Sequence, residues 1–274
     1  MRVGFVGLGD QGGPIARRII DAGYPVTLYA RRAATLEPFA DSDAKIAGTL
    51  LELGAASDLL GVCVMDDAGV EEVLTGDAGA LAGMEAGGVV IIHSTVHPDT
   101  CRRMEAAAAD RGVAVLDAPV SGGGAVAAAG NVTVMVGGDE ATFERCRPVF
   151  ETYAGLLRHL GPLGSGQLAK LLNNLVFIAN VCNGIEVFDV GEQLGIDRGA
   201  LAEILGHSSG ASFGLGLVGA SGSIEFLSSS QLVPTMRKDV DLVSRLVADR
   251  GIGVGGLVDA GNRALTRFGA PPES

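Results

Sequence analysis

The stretch Val3-Gly4-Phe5-Val6-Gly7-Leu8-Gly9-Asp10-Gln11-Gly12-Gly13-Pro14-Ile15-Ala16 decides the reading of the fold. A short apolar run ends in G-x-G-x-x-G, and a helical pattern follows. Taken alone the glycine spacing is a weak signal; between a strand and a helix it has a mechanical meaning. Gly7 permits a tight turn, Gly9 lets the backbone approach a pyrophosphate, and Gly12 lets the helix pack on the strand. The helix N-terminus then presents free N–H groups and the positive end of its dipole to phosphate. Gly7, Leu8, Gly9, Asp10, Gln11 and Gly12 are therefore expected to bind a dinucleotide.

Outward from that loop, short apolar runs alternate with helical patterns. Strands are expected at Val3–Val6, Val26–Tyr29, Leu59–Met65, Val89–His93, Ala114–Leu116 and Val132–Val136, with helices such as Pro14–Ala22 and Asp99–Asp110 between most of them. Such alternation predicts a parallel sheet covered on both faces. After about Leu160 the texture changes: Gln167–Leu194 reads as one long helix, with Leu168, Leu171, Leu172, Leu175, Ile178 and Ala179 at helical spacing. Helices are expected at Arg198–Leu205, Val233–Asp249 and Leu257–Phe268, and the Gly- and Ser-rich Ser208–Ser230 reads as loop or short helix. The expected architecture is α/β, a Rossmann-like doubly wound sheet (1–161) followed by an all-α C-terminal domain (162–274), joined by the long helix. One face of that helix is apolar enough either to be buried in its own domain or to contact a second subunit.

Bulk properties narrow the function. The chain has 274 residues, and about 150 per domain is a soft prior. A net charge of −12 excludes the basic footprint of a nucleic-acid binder. The four cysteines, Cys63, Cys101, Cys146 and Cys182, are far apart, so neither a disulfide framework nor a zinc site is expected, and free thiols in a reducing, cytoplasmic compartment are. No run of 18 apolar residues is present, so no membrane span is expected. His93, His97, His159 and His207 lack metal-ligand spacing, so no catalytic metal is expected, and His93 reads as a strand-end residue rather than a base.

The end of the second strand bears on the cofactor. A dinucleotide site for NAD places Asp or Glu about 20 residues after the glycines. Here the chain reads Leu28-Tyr29-Ala30-Arg31-Arg32, with no carboxylate until Glu37. A guanidinium there suits a 2′-phosphate. NADP is expected over NAD, with Arg31 as chief contact and Arg32 as helper.

Four motifs stand in order along the chain: the glycine loop through Ala16; Asp117-Ala118-Pro119-Val120-Ser121-Gly122-Gly123; Gly161 to Asn174, containing Gly164-Ser165-Gly166-Gln167-Leu168-Ala169-Lys170; and Lys238-Asp239. Together they resemble the β-hydroxyacid dehydrogenase family, which includes 3-hydroxyisobutyrate dehydrogenase, tartronate semialdehyde reductase and glyoxylate/succinic semialdehyde reductase, with 6-phosphogluconate dehydrogenase and imine reductases as distant relatives. The resemblance implies that Lys170 is the catalytic acid/base, that Asn174 holds the substrate, and that Ser121, Gly122 and Gly123 bind its carboxylate. It also implies that Thr95 contacts the nicotinamide, that Met65 and Asp66 lie along the cofactor, and that Lys238 reaches cofactor or substrate from the second domain. A homodimer or homotetramer is a further implication. The chain departs from the family pattern at Gln11, where Met is usual; at Val126, where Gly is common; and at His97, where a small polar residue is common.

Lys170 suits the chemistry. Hydride transfer to a carbonyl leaves negative charge on oxygen, which a proton-donating cation stabilises. In the oxidative direction the amine accepts the hydroxyl proton, so it must titrate below a free lysine, and the apolar Leu171, Leu172 and Leu175 favour this. Lys170 and Asn174, four apart, share a helix face. Gly164 and Gly166 are expected to let the preceding loop approach the nicotinamide. Asp117 reads as a residue that orients the substrate loop, and Asp239 and Asp241 either brace Lys238 or line a helix. The expected substrate is a small 3-hydroxy acid or its aldehyde acid, bound in a cleft between the domains. The alternatives are an imine reductase-like enzyme, against which Lys170 argues, and a catalytically silent NADP-binding protein.

Overall fold

The computed structural model describes residues 1–76, 78–221, 232–253 and 256–270. Two compact units are present, Met1–Lys170 and Leu171–Ser274.

In the first unit β1 (Val3–Val6), β2 (Val26–Tyr29), β3 (Lys45–Ile46), β4 (Leu59–Val62), β5 (Val89–Ile92) and β6 (Ala114–Asp117) form one sheet in the order β3-β2-β1-β4-β5-β6, every pair parallel. The reversal of direction at β1 and β4 makes it doubly wound. The connections carry α1 (Gly12–Asp21), α2 (Leu50–Ala55), α3 (Asp67–Thr75) and α4 (Pro98–Ala109). Both faces of the sheet are covered, which is why the strands read as continuous apolar runs. Alternate residues divide between two cores: Val3, Phe5, Val89 and Ile91 pack with Ile15 and Ile19 of α1, whereas Val6, Val90 and Ile92 pack with Val70 of α3 and Met104 of α4.

A second, three-stranded sheet adjoins the first through a bridge between Asp117 and Gly137. In it β7 (Val120–Ser121) runs antiparallel to β8 (Val132–Val136), which is parallel to β9 (Ala154–His159). The helices α5 (Gly123–Ala128) and α6 (Glu140–Phe150) connect these strands. The strand expected over Leu59–Met65 stops at Val62, because the Val64 amide leaves the ladder and donates to Ser94 Oγ at 2.8 Å.

The helix α7 (Ser165–Gln193) starts in the first unit and supplies the framework of the second, which also contains α8 (Arg198–Gly206), α9 (Phe213–Ser221), α10 (Leu232–Asp249) and α11 (Leu257–Arg267). Its buried residues Leu171, Leu175, Ile178, Cys182 and Ile185 recur every three or four positions, one stripe of a helix; Leu172, expected on that stripe, is exposed. By length and composition alone α7 is apolar enough to cross a bilayer, but half of its most apolar window is buried within the protein, the pattern of a core helix. Within the stretch 208–230, α9 occupies part of the described residues, and the positions beyond Ser221 lie outside them.

At the end of β5, His93 is buried between the sheet and α6. Its Nδ1 lies 2.7 Å from Ala118 O, which only accepts, so Nδ1 carries the hydrogen and Nε2 accepts from the Tyr153 hydroxyl at 3.3 Å. Burial pushes the imidazole down to about 4. The unfolded chain therefore binds a proton near pH 6.5 that the folded chain refuses until about 4, so this contribution is full above pH 6.5 and is lost as pH falls. The loss amounts to about 3 kcal/mol by the usual conversion. In His93→Asn, whose amide can still donate to Ala118, denaturant-measured stability is expected to fall less steeply from pH 7 to pH 4 by about that amount. Parallel curves for the two proteins would contradict it.

Candidate active site

The turn from β1 into α1 shows what each glycine does. Gly7 has φ +91°, and a Cβ there would lie 2.1 Å from Cys63 O. A Cβ on Gly12 would lie 1.9 Å from Gly7 O. The protein itself requires both. Gly9 is different: it is exposed and a Cβ on it would meet nothing within 4 Å, so no neighbour within the described residues requires its bareness. Leu8 turns into the core, and no acidic residue occupies the first turn of α1. Just before that turn, Asp10 accepts a bond from the Gly124 amide at 3.2 Å, tying the loop to α5. Gln11 begins α1 without capping it, and its Oε1 is buried without a partner. These features fit a dinucleotide pyrophosphate at the amide end of α1.

Arg31 and Arg32 follow β2 and are exposed. The carboxylate of Glu72 lies 3.9 Å from the Arg31 guanidinium. Past the end of β4, Met65 is 72% exposed, while Asp66 caps α3 by accepting from Gly69 N at 2.9 Å.

The ends of β5 and β6 meet the start of α7. Asp117, fully buried, accepts from Gly164 N at 2.6 Å and from Gln167 N at 2.7 Å. Desolvation raises its pKa, opposed by those amide bonds. Gln167, also fully buried, donates from Nε2 to Ser94 O at 2.9 Å and accepts from Val96 N at 3.1 Å, spanning Thr95. Lys170 follows three residues later and is buried, 8% exposed. Gly166 has a different task from the expected approach to the nicotinamide: a Cβ there would lie 2.2 Å from Met135 O, so its bareness lets α7 pack on β8. Likewise Gly164, at φ +96°, sits against Pro98. The sequence reading missed Asp117 as a helix cap and Gln167 altogether. Nothing local in the sequence shows that a carboxylate 47 residues upstream caps this helix.

Ser121 ends β7, and Gly122 and Gly123 follow with φ +141° and +78°. Val126 underlies them: a Cβ on Gly122 would lie 2.8 Å from its Cγ1. The departure from Gly at 126 thus props the loop from below. His97, another departure, caps α4 by accepting from Asp99 N at 3.1 Å.

In the second unit Asn174 donates from Nδ2 to Asp239 Oδ2 at 2.6 Å and accepts from Asn173 at 3.1 Å. Asp239 is 2% exposed, and its Oδ1 lies 3.8 Å from Lys238 Nζ. It thus joins Lys238 to Asn174, whereas Asp241 pairs with Arg237.

Residues 2–161 match the model of the NAD binding domain of 6-phosphogluconate dehydrogenase. Residues 164–261 match that of the NAD-binding domain of NADP-dependent 3-hydroxyisobutyrate dehydrogenase. The NAD-dependent L-serine dehydrogenase of Pseudomonas aeruginosa is 36% identical over 214 residues, covering 78% of this chain and 72% of the relative. Among solved structures, the Mycobacterium tuberculosis 3-hydroxyisobutyrate dehydrogenase with L-serine superposes with a TM-score of 0.81 at 28% identity, covering 98% of this chain and 94% of that one. Psf3 in complex with NADP+ and 2-OPP gives 0.84 at 27% identity, with 97% and 93% covered. With its doubly wound sheet, its glycine loop and family models covering both halves, the chain belongs to the β-hydroxyacid dehydrogenase family, NAD(P)-dependent oxidoreductases acting on CH–OH groups.

Proposed function

We propose that this protein interconverts a small 3-hydroxy acid and its semialdehyde with NADP(H), and that Lys170 is the acid/base. The observation that carries the reading is the burial of Lys170 in the second turn of α7, next to the clamp that holds the Ser94–Val96 turn. Lysine is among the residues least often buried, so a buried one at such a place is a functional candidate. The bound nicotinamide supplies or accepts the hydride. The Lys170 ammonium donates a proton to the developing alkoxide and, in oxidation, the amine takes the hydroxyl proton. Successive backbone amides in unusual conformations make a concavity for anions. Gly122 and Gly123, both at positive φ, suit the substrate carboxylate in that way, with the Ser121 hydroxyl beside them. Thr95 borders the nicotinamide, and Asn174, its amide oriented by Asp239, holds the substrate.

The substrate class rests on chemistry shared by the relatives. L-Serine and 3-hydroxyisobutyrate both carry a carboxylate and a hydroxyl on the third carbon. Residues 118–128 contain no Lys or Arg, which disfavours a phosphosugar. The preference for NADP rests on Arg31 and Arg32 and on the lack of a carboxylate between Tyr29 and Leu36.

Two measurements test the proposal. With a panel of short hydroxy acids and semialdehydes followed by nicotinamide absorbance, Lys170→Ala is expected to lose about 10²- to 10⁴-fold in kcat while still binding NADPH. Equal turnover in mutant and parent would remove Lys170 from the chemistry. Arg31→Ala is expected to raise KM for NADP about tenfold, the worth of one charge-assisted bond, and to leave KM for NAD nearly unchanged. An equal change for both cofactors would refute the 2′-phosphate role.

A further inference from the structure

The side-chain amide of Gln167 has an unusual pair of partners. Its Nε2 donates to Ser94 O and its Oε1 accepts from Val96 N, so one planar amide engages the backbone on both sides of Thr95. In the same residue the backbone N–H is held by the buried carboxylate of Asp117. The turn is anchored on its far side as well, with Ser94 Oγ accepting from Val64 N at 2.8 Å and Asp67 accepting from His97 N at 2.8 Å. Ser94, Val96, Asp117 and Gln167 are all buried, which makes each bond costly to break and gives water no ready access to replace it.

We propose that Gln167 is a positioning residue for the reaction: its amide locks the Thr95 turn to the segment of α7 that carries Lys170, so the nicotinamide-side contact and the proton donor keep a fixed register. This rests on the roles proposed above for Thr95 and Lys170. A primary amide of this length offers a donor and an acceptor side by side at every pH of the assay. A carboxylate offers two acceptors, one of which would face the lone pairs of Ser94 O. A protonated carboxyl, by contrast, restores the donor. Gln167→Glu should therefore convert the clamp into one that works only when protonated.

The titratable groups tied to that position are Asp117, which holds the Gln167 backbone amide; Asp67, which holds the turn through His97 N; Cys101, which interacts with both carboxylates; and Lys170, three residues further along α7. Burial and Asp117 both favour the neutral acid, so its titration is expected above the ordinary carboxylate range. The experiment measures kcat for parent, Gln167→Glu and Gln167→Met from pH 6 to pH 10, each variant's value divided by the parent's at the same pH. NADPH affinity is read separately by fluorescence.

The normalised kcat of Gln167→Glu is expected to fall roughly tenfold with rising pH in one protonation step, consistent with losing one buried hydrogen bond. Gln167→Met is expected to stay low throughout, and NADPH affinity to change little, because the phosphates are held at the glycine loop. A flat normalised profile for Gln167→Glu, or full kcat in Gln167→Met, overturns the inference. Should neither variant fold, hydrogen exchange in the parent decides: strong protection of the Val96 amide supports the clamp, and exchange as fast as an open loop's overturns it. If Lys170→Ala keeps full turnover while the Gln167→Glu profile titrates, the acid/base assignment fails and the clamp stands.

Discussion

The start of α7 depends on a carboxylate that is shut off from bulk solvent. Asp117 is fully buried at the end of β6, and desolvation works against its charge. What offsets that cost is the set of amide hydrogens that a helix leaves unsatisfied in its first turn. Gly164 N and Gln167 N supply two of them. Each partner therefore needs the other: the carboxylate without the helix would be an unpaired buried charge, and the helix end without the carboxylate would hold orphan donors. The placement of the first turn of α7, and with it of Lys170, thus depends on a carboxylate at the end of β6 as well as on Gly166 and Gln167 of α7 itself.

The same logic runs along the carboxyl edge of the sheet. Strand ends leave backbone groups unpaired where the chain turns into helices, and this protein closes them with side chains: Ser94 Oγ for Val64, Asp66 for Gly69, Asp67 for His97 and Gln167 for both Ser94 and Val96. Polar groups so used have fewer donors and acceptors left for a ligand. The edge is thus divided into residues that hold the scaffold and residues left to face outward, such as Gly9 and Met65, both exposed. Open α/β sheets bind ligands at this edge because it is where the loops can be varied without disturbing the strands.

Much of the first unit was legible in the sequence because its signals are local. Continuous apolar strands between helical patterns, and G-x-G-x-x-G at the first turn, need no tertiary information. The second sheet was only partly legible. β7 is two residues long, too short for any period, as is β3 at the edge of the first sheet, and β9 presents Leu156 to solvent, so neither alternation nor a continuous run marks it. The site divides in the same way. Gly7 and Gly12 do what the motif says they do, whereas Gly166 looked like a ligand-facing glycine and packs on Met135. Asp117 and Asp239 were visible only as members of motifs. Their bonds to Gln167 and Asn174 span 50 and 65 residues, and no local pattern encodes a contact over such distances.

Val126 carries the argument about specificity one step further. Two glycines at positive φ are intrinsically loose, since glycine loses more freedom on ordering than any other residue. Where the family commonly has another glycine at this position, this chain places a β-branched side chain with few rotamers directly under Gly122. The loop expected to meet the substrate carboxylate is thereby stiffened from beneath, without a new group being added to its binding surface. Stiffening of that kind lowers the entropy lost on binding whatever carboxylate arrives. On the proposed reading it would bear on how tightly a carboxylate is held rather than on which substituent the substrate carries, and that choice would fall to residues that meet the rest of the substrate.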